Sequence, residues 1–172
     1  MILGFESDVK RRIMLAFSAF GSLKENIWYR KDIGRNFKMR LYRTLILPIA
    51  TYASETWTLR ESEKQSLTLT FEMRCLRSIL GVNLHQRLRN DYIRHQLSAQ
   101  KTVVECILFR RLKYFGHVNR RPVNSVSFRS YKGNFNAKRP PGRPQMRWSD
   151  QIRKDIGLPL QTAERRTMDR DA

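Results

Sequence analysis

The sequence lacks most features of secreted, membrane-spanning or metal-binding proteins. It has only two cysteines, Cys75 and Cys106. Each lies inside a predicted helix and away from metal-ligand spacing, so we predict inert, reduced core thiols. No apolar run approaches the roughly 20 residues that span a bilayer, and the N-terminus lacks the basic-then-apolar layout of a signal peptide. These absences predict a soluble, intracellular protein, nuclear or cytoplasmic, with no cofactor and no metal.

Acidic residues are also scarce. The 172 residues include 15 Asp and Glu against 34 Lys and Arg, which gives a formal net charge of +19. Between Glu105 and Asp150 there is no acidic residue at all. A charge of this size is self-repulsive unless a polyanion offsets it, so RNA, DNA or an anionic membrane surface are the candidate partners. The long interval of one sign favours RNA or DNA, contacted through phosphate.

No stretch alternates polar and apolar residues with the period of two that strands show, so we predict an all-α fold. Apolar residues instead recur every three or four positions. This spacing predicts a first helix behind a Ser7-Asp8 cap. A second helix, with Phe37, Leu41, Leu45, Ile49 and Tyr52 as its apolar row, begins at Asn36 and is kinked by Pro48.

The remaining helices are predicted from their end signals. A capping box at Thr58 to Glu61 opens the third helix, which Gly81 ends. Further helices open at Asn90 and near Ser98, and the latter stops at Gly116. Two short helices follow, one from about Pro144 to Gly157 and one from Thr162 onward.

Periodicity disappears from Arg121 to Gly142, where prolines and glycines interrupt a basic stretch. We therefore predict three parts: a helical domain over residues 1–120, a basic linker over 121–143, and a short helical segment over 144–172.

The predicted phosphate contacts come from the third helix with the loop after it, and from the acid-free interval. They are Arg74, Arg77, Arg87, Arg89, Arg110, Arg111, Lys113, His117, Arg120, Arg121, Lys138, Arg139, Arg143 and Arg147.

Aromatic residues are interleaved with the later charges, and two interpretations of them stay open. They are Tyr114, Phe115, Phe128, Tyr131, Phe135 and Trp148. Stacking on unpaired bases, at roughly 1 to 3 kcal/mol each, favours single-stranded or structured RNA over duplex DNA read by base edges. Packing into a core is the alternative. We favour packing for Phe115 and Trp148 and leave both interpretations equal for Phe128, Tyr131 and Phe135.

Three further motifs have a functional and a structural interpretation. His117, after Gly116, has the exposure of an acid or ligand, but without a neighbouring carboxylate we favour a structural or RNA-contacting role. His85 and His95, even with both cysteines, fit no common zinc spacing. Glu55 lies in an apolar stretch and is predicted to be buried and paired with an arginine.

The run Gly142-Arg143-Pro144 is open to two interpretations of equal weight. Short Arg-Pro segments enter the minor groove of A·T-rich DNA. Proline is also favoured at the first position of a helix, so a helix entry is the second interpretation of this run.

Several of these motifs occur in order as they do in one family. They are Tyr52-Ala53-Ser54-Glu55-Thr56-Trp57, Arg74-Cys75-Leu76-Arg77-Ser78-Ile79-Leu80-Gly81, Arg89-Asn90 with Ile93, Leu112-Lys113-Tyr114-Phe115-Gly116-His117-Val118, and Gly142-Arg143-Pro144 with Arg147-Trp148. The chain thereby resembles the C-terminal, thumb and post-thumb region of LINE-type, non-LTR retrotransposon endonuclease/reverse transcriptases, particularly the RTE and Jockey-like clades. The resemblance implies a helical thumb followed by a basic segment that helps hold the element's RNA or the target DNA.

The chain also departs from that family. Polymerase chemistry needs carboxylates that hold two Mg²⁺ ions about 3.5 to 4 Å apart, and the sequence contains no Asp-Asp pair. We therefore expect a truncated or degenerate copy that binds nucleic acid without polymerase or endonuclease activity. The alternative is a pseudogene product or a helical interaction scaffold with no nucleic-acid role. A helix-turn-helix regulator is weaker, because no short glycine-containing turn joins helices of suitable length.

Overall fold

The computed structural model describes residues 5–133 and 146–168, with side chains from residue 8 onward. Within these ranges every regular element is helical and no strand occurs, which confirms the all-α fold. The chain forms two compact units, one of residues 1–53 and 59–107 and the other of residues 54–58 and 108–172. The three-part division predicted from the sequence stays a prediction, because residues 134–143 of the proposed linker lie outside the described residues.

The first unit is built from helices that include three π-helical segments. Its elements are α1 (Phe5–Ser22), a π-helical turn (Lys24–Trp28), α2 (Arg35–Leu41), a π-helical segment (Tyr42–Ile46), α3 (Leu47–Ala50), α4 (Glu61–Gln65), a third π-helical segment (Ser66–Glu72), α5 (Met73–Leu80), a 3₁₀ turn (Leu84–Gln86), α6 (Asn90–Gln96) and the first turn of α7 (Val103–Asn119). The first helix thus begins at Phe5, ahead of the predicted Ser7-Asp8 cap.

The end of α1 is fixed by Trp28. Its ring is stacked on Phe20, with ring centroids 4.4 Å apart, and its indole N–H donates to the Phe20 carbonyl oxygen at 2.7 Å. The Lys38 ammonium donates to the carbonyl oxygens of Trp28 at 2.8 Å and Arg30 at 2.6 Å. Burial lowers the pKa of Lys38, and these two acceptors compensate the charge that the helix buries.

The continuous helical run of α2, the π-helical segment and α3 corrects the predicted second helix. Gly34, not Asn36, is the N-cap, and Pro48 lies in the first turn of α3. A π-helical segment, Tyr42–Ile46, precedes Pro48 in this run, and the predicted kink at Pro48 stays a prediction.

The register of this run also differs from the prediction. The structure buries Met39, Tyr42, Ile46 and Ala50. The predicted apolar row instead leaves Phe37 54%, Leu45 48% and Tyr52 61% exposed. Two adjacent faces of the helix are apolar, so periodicity alone does not distinguish the buried one.

The predicted start of the third helix was wrong, while its end is confirmed. Arg60 is the N-cap of α4, and its backbone N–H donates to the Glu63 carboxylate at 2.7 Å, so the box lies two residues after Thr58. Gly81 follows α5 with φ +79°, a left-handed conformation that suits glycine.

A buried carboxylate joins three helical segments of the first unit. Glu72, 3% exposed, accepts from Arg94 of α6 at 2.7 and 3.2 Å and from the Val103 backbone N–H at 3.3 Å. The bidentate pair joins the π-helical segment before α5 to α6, and the Val103 contact fixes the start of α7 against the same carboxylate.

The second unit contains a 3₁₀ turn (Ser54–Thr56), the rest of α7, α8 (Val126–Lys132), α9 (Trp148–Ile156) and α10 (Leu160–Arg166). Its apolar core has Phe115, Ile152 and Ala163 at the centre, with Leu112, Tyr131, Trp148, Ile156 and Leu160 packed around them. Gly157 ends α9 with φ +69°, as predicted. Helix α8 lies where the sequence predicted an irregular linker, so that part of the prediction was wrong.

Candidate nucleic-acid interface

Helix α7 carries the candidate interface, and its start is set by a capping box that the sequence analysis missed. The Glu105 backbone N–H donates to the Thr102 hydroxyl at 3.1 Å, and the Thr102 N–H donates to the Glu105 carboxylate at 2.6 Å. The Thr-x-x-Glu spacing was a readable signal for this start. Gly116 lies inside α7, so the predicted helix end at Gly116 was wrong.

One face of α7 is buried in the second unit. Phe115 is 1% exposed and Val118 2%. Arg111, also 2% exposed, forms an ion pair with Asp155 of α9. Asp155 also accepts from the Gln151 side-chain amide at 2.7 Å. Arg111 is therefore engaged inside the unit and unavailable to a phosphate, which corrects its assignment to the binding surface.

The opposite face of α7 and the turn after it carry a row of exposed polar and cationic side chains. We call this row the α7 stripe; it consists of Arg110, Lys113, His117, Arg120 and Arg121, all of which are exposed. At 3.6 residues per turn, Arg110, Lys113 and His117 fall within an arc of about 60° on α7. Arg120 and Arg121 lie in the turn after Asn119, the last residue of the helix. The structure thus brings together five of the predicted contacts, three on one exposed face of α7 and two in the turn that follows it.

Two interactions order the C-terminal half of the stripe. The Arg121 guanidinium donates to His117 Nε2 at 3.1 Å. The Arg120 guanidinium donates to the Thr167 carbonyl oxygen at 2.8 Å and lies over Gly116, where a methyl group would approach it to 3.1 Å. His117 is thus an exposed hydrogen-bond acceptor that positions Arg121.

Most of the interleaved aromatics are packed in the core of the second unit. Trp148 meets Tyr114 and Tyr131 edge-on, with ring centroids 5.9 and 5.7 Å apart, and Phe115 meets Tyr131 at 5.8 Å. The Trp148 indole N–H donates to the Glu55 carbonyl oxygen at 2.8 Å. This confirms the favoured interpretation of Phe115 and Trp148 as core residues.

Tyr131 also belongs to this packed group. Its hydroxyl donates to the Glu164 carboxylate at 2.6 Å, and burial, followed by this contact, raises the pKa of Tyr131. For Tyr131 the core interpretation therefore holds. Phe128 is half-buried in α8, and Phe135 lies outside the described residues.

The predicted contacts in the first unit do not form a comparable row. Arg74 is exposed, with its guanidinium 5.3 Å from the centre of the Phe17 ring. Arg77 is half-buried and donates to the Asn90 side-chain oxygen at 2.8 Å and the Leu88 carbonyl oxygen at 3.3 Å. Arg77 therefore holds the loop between α5 and α6.

The other predicted contacts divide into exposed and undescribed residues. Arg87 and Arg89 are exposed next to that loop, and Arg87 has a positive φ of 50°. Arg147 is exposed at the start of α9. Lys138, Arg139 and Arg143 lie outside the described residues, as does the run Gly142-Arg143-Pro144.

Two remaining predictions concern ionisable side chains. Glu55 is half-buried, and the contact with Trp148 is made by the backbone carbonyl of Glu55. The buried ion pairs that the structure describes are formed by other residues, Glu72 with Arg94 and Arg111 with Asp155. Cys75 is buried, and burial raises the pKa of its thiol to about 12, in agreement with an inert core thiol. Cys106 is half-buried.

The described part of the chain carries neither a grouped set of metal ligands nor a membrane-spanning helix. Within residues 5–133 and 146–168, no three His, Cys, Asp or Glu side chains are grouped as metal ligands would be. None of the helices described has the length and apolar character required to cross a bilayer.

Comparison with known proteins supports a transposon-derived origin. An uncharacterized transposon-derived protein of Caenorhabditis elegans is 29% identical to this chain over 153 residues, or 87% of the chain. The chain spans 54% of the length of that protein. No protein-family model matches the sequence, and no solved structure matches it. The chain is therefore similar to a transposon-derived protein across most of its own length.

Proposed function

We propose that this chain binds RNA or DNA through the α7 stripe, as a thumb and post-thumb region of a LINE-type reverse transcriptase. We further propose that it catalyses neither polymerisation nor strand cleavage and acts inside the cell. The similarity to a transposon-derived protein supports the origin, and the motifs shared with LINE-type reverse transcriptases support the finer assignment.

One observation carries the binding proposal: α7 has a buried, anchored face and an opposite face of cationic side chains. Arg110 and Lys113 lie on the exposed face, and Arg120 and Arg121 lie in the turn after it. Two acidic residues of the second unit are engaged with other cations, since Asp155 pairs with Arg111 and Glu164 pairs with Lys132. A one-signed surface on a rigid element is suited to phosphate contacts that do not depend on base sequence.

A salt titration of binding tests this proposal. The anisotropy of a fluorescent oligonucleotide is measured with the full chain between about 50 and 200 mM salt, where log K falls by about 0.9 per log unit for each duplex phosphate neutralised. We expect a steep decline, and a flat titration refutes the proposal. Arg110→Gln/Lys113→Gln should weaken binding. The matched control Arg153→Gln/Lys154→Gln removes the same charge from exposed positions on α9 and should change affinity less.

The proposed lack of catalysis has its own test. The purified chain, incubated with Mg²⁺, nucleotides and a primer annealed to a template, should neither extend the primer nor cut the strands. Primer extension that persists through purification to homogeneity would overturn this part of the proposal.

A helical interaction scaffold is the second candidate, and one observation favours it. The row of Phe37, Leu45 and Tyr52 is about half exposed along the α2 to α3 run, and exposed apolar rows are typical of protein contacts. Sedimentation of the chain alone, compared with Phe37→Ser/Leu45→Ser, tests this. Self-association that the double variant abolishes favours the scaffold, and a monomer in both cases counts against contact between copies.

A further inference from the structure

We propose that an apolar row along the α2 to α3 run docks an acidic amphipathic helix of a partner protein. We call it the α2–α3 row; it consists of Phe37, Leu41, Leu45, Ile49 and Tyr52. The inference rests on the second candidate function, the interaction scaffold, and gives that scaffold a partner of defined chemistry. It is independent of nucleic-acid binding, because the row lies in the first unit and shares no residue with the α7 stripe.

The first argument is the spacing of the row and its exposure. Its members recur every three or four positions, as the contact residues of one helix face do. Phe37, Leu45 and Tyr52 are about half exposed, and Leu41 and Ile49 between them are half-buried. Projecting side chains that alternate with recessed ones form ridges and hollows, into which the side chains of a second helix pack. The row is roughly 20 Å long, which matches a partner helix of about four turns.

The second argument is that the core of the first unit is filled from the other side of the same run. Met39, Tyr42, Ile46 and Ala50 are each at most 4% exposed. The side of a surface helix that faces away from the core is ordinarily polar. A row of apolar side chains on that side is therefore not explained by the fold of the first unit, and such rows are typical of protein contacts.

The third argument is the charge beside the row. No acidic residue occurs between Asp32 and Glu55 in the sequence. Within this interval Arg35, Arg40 and Arg43 are exposed. An apolar row bordered by cations is complementary to a helix whose apolar stripe is bordered by carboxylates. The charge of the row therefore selects an acidic partner.

The two ends of the row differ in charge, which orients the partner. At the Tyr52 end, the Arg12 guanidinium lies 4.4 Å from the centre of the Tyr52 ring, and the Asp8 carboxylate lies 3.6 Å from Arg12. The cation at this end already has an acidic neighbour. The carboxylates of the partner should therefore be concentrated near Arg35 and Arg40.

Other occupants fit the row less well. A second copy would bring another chain of net charge +19 against the same arginines, so charge repulsion disfavours it. An anionic membrane surface would attract the arginines, but insertion depends on apolar side chains that project into the headgroup region. Leu41 and Ile49 are half-buried, so a partner side chain can cover them while a flat surface cannot.

The experiment titrates the full chain against two designed fluorescent peptides of about 20 residues each, the length of the row with one extra turn. In the first peptide, leucines recur every three or four positions on one face, glutamates border them, and a side-chain staple on the outer face holds the helix. The second peptide has the same composition and staple, with its leucines distributed around the helix. We expect the first peptide to bind at least about 10-fold more tightly than the second.

Matched apolar variants locate the contact. Phe37→Ser/Leu45→Ser should remove the advantage of the first peptide. Leu69→Ser/Leu84→Ser changes apolar side chains exposed elsewhere in the first unit and should keep it. All four side chains are at least 48% exposed, so both variants should fold, which circular dichroism checks.

Matched charge variants test the polar border and do not disturb apolar packing. Arg35→Gln/Arg40→Gln should weaken binding of the first peptide roughly 3-fold, as is usual for exposed charges at the rim of a contact. Arg87→Gln/Arg89→Gln removes the same charge from exposed positions elsewhere in the first unit and should weaken it less.

Several outcomes would overturn the inference. Equal binding of the two peptides would indicate diffuse charge attraction, as would loss of the advantage in Leu69→Ser/Leu84→Ser. Self-association of the chain that Phe37→Ser/Leu45→Ser abolishes would assign the row to a second copy. Binding to vesicles of phosphatidylserine and phosphatidylcholine that the same variant abolishes would assign the row to a membrane.

Failure of this inference is distinguishable from failure of the proposed function. Arg110→Gln/Lys113→Gln, in the α7 stripe, should keep the advantage of the first peptide, and loss of that advantage would overturn the inference. Salt-dependent binding of an oligonucleotide should be the same in Phe37→Ser/Leu45→Ser as in the wild type. Self-association through the row would overturn the acidic partner and leave the interaction scaffold intact.

Discussion

The Arg111 guanidinium and the Asp155 carboxylate are paired inside the second unit, although 44 positions separate them in the sequence. Both side chains are at least nine-tenths buried, since Arg111 is 2% exposed and Asp155 8%. The pair joins the buried face of α7 to α9, and the α7 stripe is presented on the opposite face. The ion pair that stabilises the second unit therefore also holds the helix that presents the α7 stripe.

Removing one member of this pair should destabilise the chain strongly. Asp155→Ala leaves a buried guanidinium without its carboxylate, which typically costs about 3 to 5 kcal/mol. The double variant Arg111→Met/Asp155→Leu removes both charges and should recover most of that loss. Urea unfolding followed by circular dichroism measures both. A single variant as stable as the wild type would show that the pair is not formed in solution.

The capping box of α7 should contribute to stability in a pH-dependent way. Thr102→Ala removes one cap hydrogen bond and should cost about 1 kcal/mol. The pKa of Glu105 lies below its ordinary value, chiefly because its carboxylate accepts from the Thr102 backbone N–H. A lowered pKa in the folded state means that this stabilisation is complete above the ordinary glutamate pKa and is lost as the pH falls through the lowered value.

Glu105→Gln isolates the charge, because glutamine keeps the hydrogen bond of the box. The wild type should be more stable than this variant at pH 7, and the difference in free energy of unfolding should shrink at about pH 3. A difference that stays constant over this range would contradict a contribution from the carboxylate charge.

Neighbouring positions in the α2 to α3 run should respond very differently to truncation. Ile46 is 1% exposed and Leu45 is 48% exposed. Ile46→Ala should therefore cost about 2 to 5 kcal/mol, and Leu45→Ala about 0.5 kcal/mol, as is usual for surface positions. Chemical denaturation of the two variants checks the register. The reverse order of stability would show that the face predicted from periodicity is the buried one.

Two glycines should respond in opposite directions to substitution by alanine. Gly116 lies inside α7, and the nearest atom to an added methyl group is the flexible end of Arg120 at 3.1 Å. Gly116→Ala should stabilise the helix by about 0.5 to 1 kcal/mol while Arg120 shifts slightly. Gly81→Ala, at φ +79°, should destabilise by about 1 kcal/mol, the usual cost of a left-handed residue. Thermal unfolding of both variants compares them, and a loss of stability at Gly116 would contradict its place in the helix.

Local signals in the sequence predicted much of the fold. Gly81 and Gly157 end helices where expected, and α6 begins at Asn90. The start of α7 was missed, although Thr102 and Glu105 have capping-box spacing. The apolar face of the α2 to α3 run was misassigned because both of its adjacent faces are apolar.

The candidate site was only partly predictable. The acid-free interval indicated where charge accumulates, and three of the predicted contacts share one exposed face of α7, with two more in the turn after it. The sequence did not distinguish Arg110 from Arg111, since burial of Arg111 depends on a carboxylate far along the chain. It also did not show that Tyr131 and Trp148 pack together, because that contact exists only once α8 and α9 have folded.

The most direct measurement is lysine acetylation, read by mass spectrometry, with and without a saturating duplex of about 20 base pairs. Lys113 lies in the α7 stripe, while Lys31 and Lys154 are exposed elsewhere, in the first unit and on α9. If the stripe is the phosphate contact, the duplex slows modification of Lys113 strongly and that of Lys31 and Lys154 little. Modification of Lys113 at the same rate in bound and free protein contradicts the proposed interface.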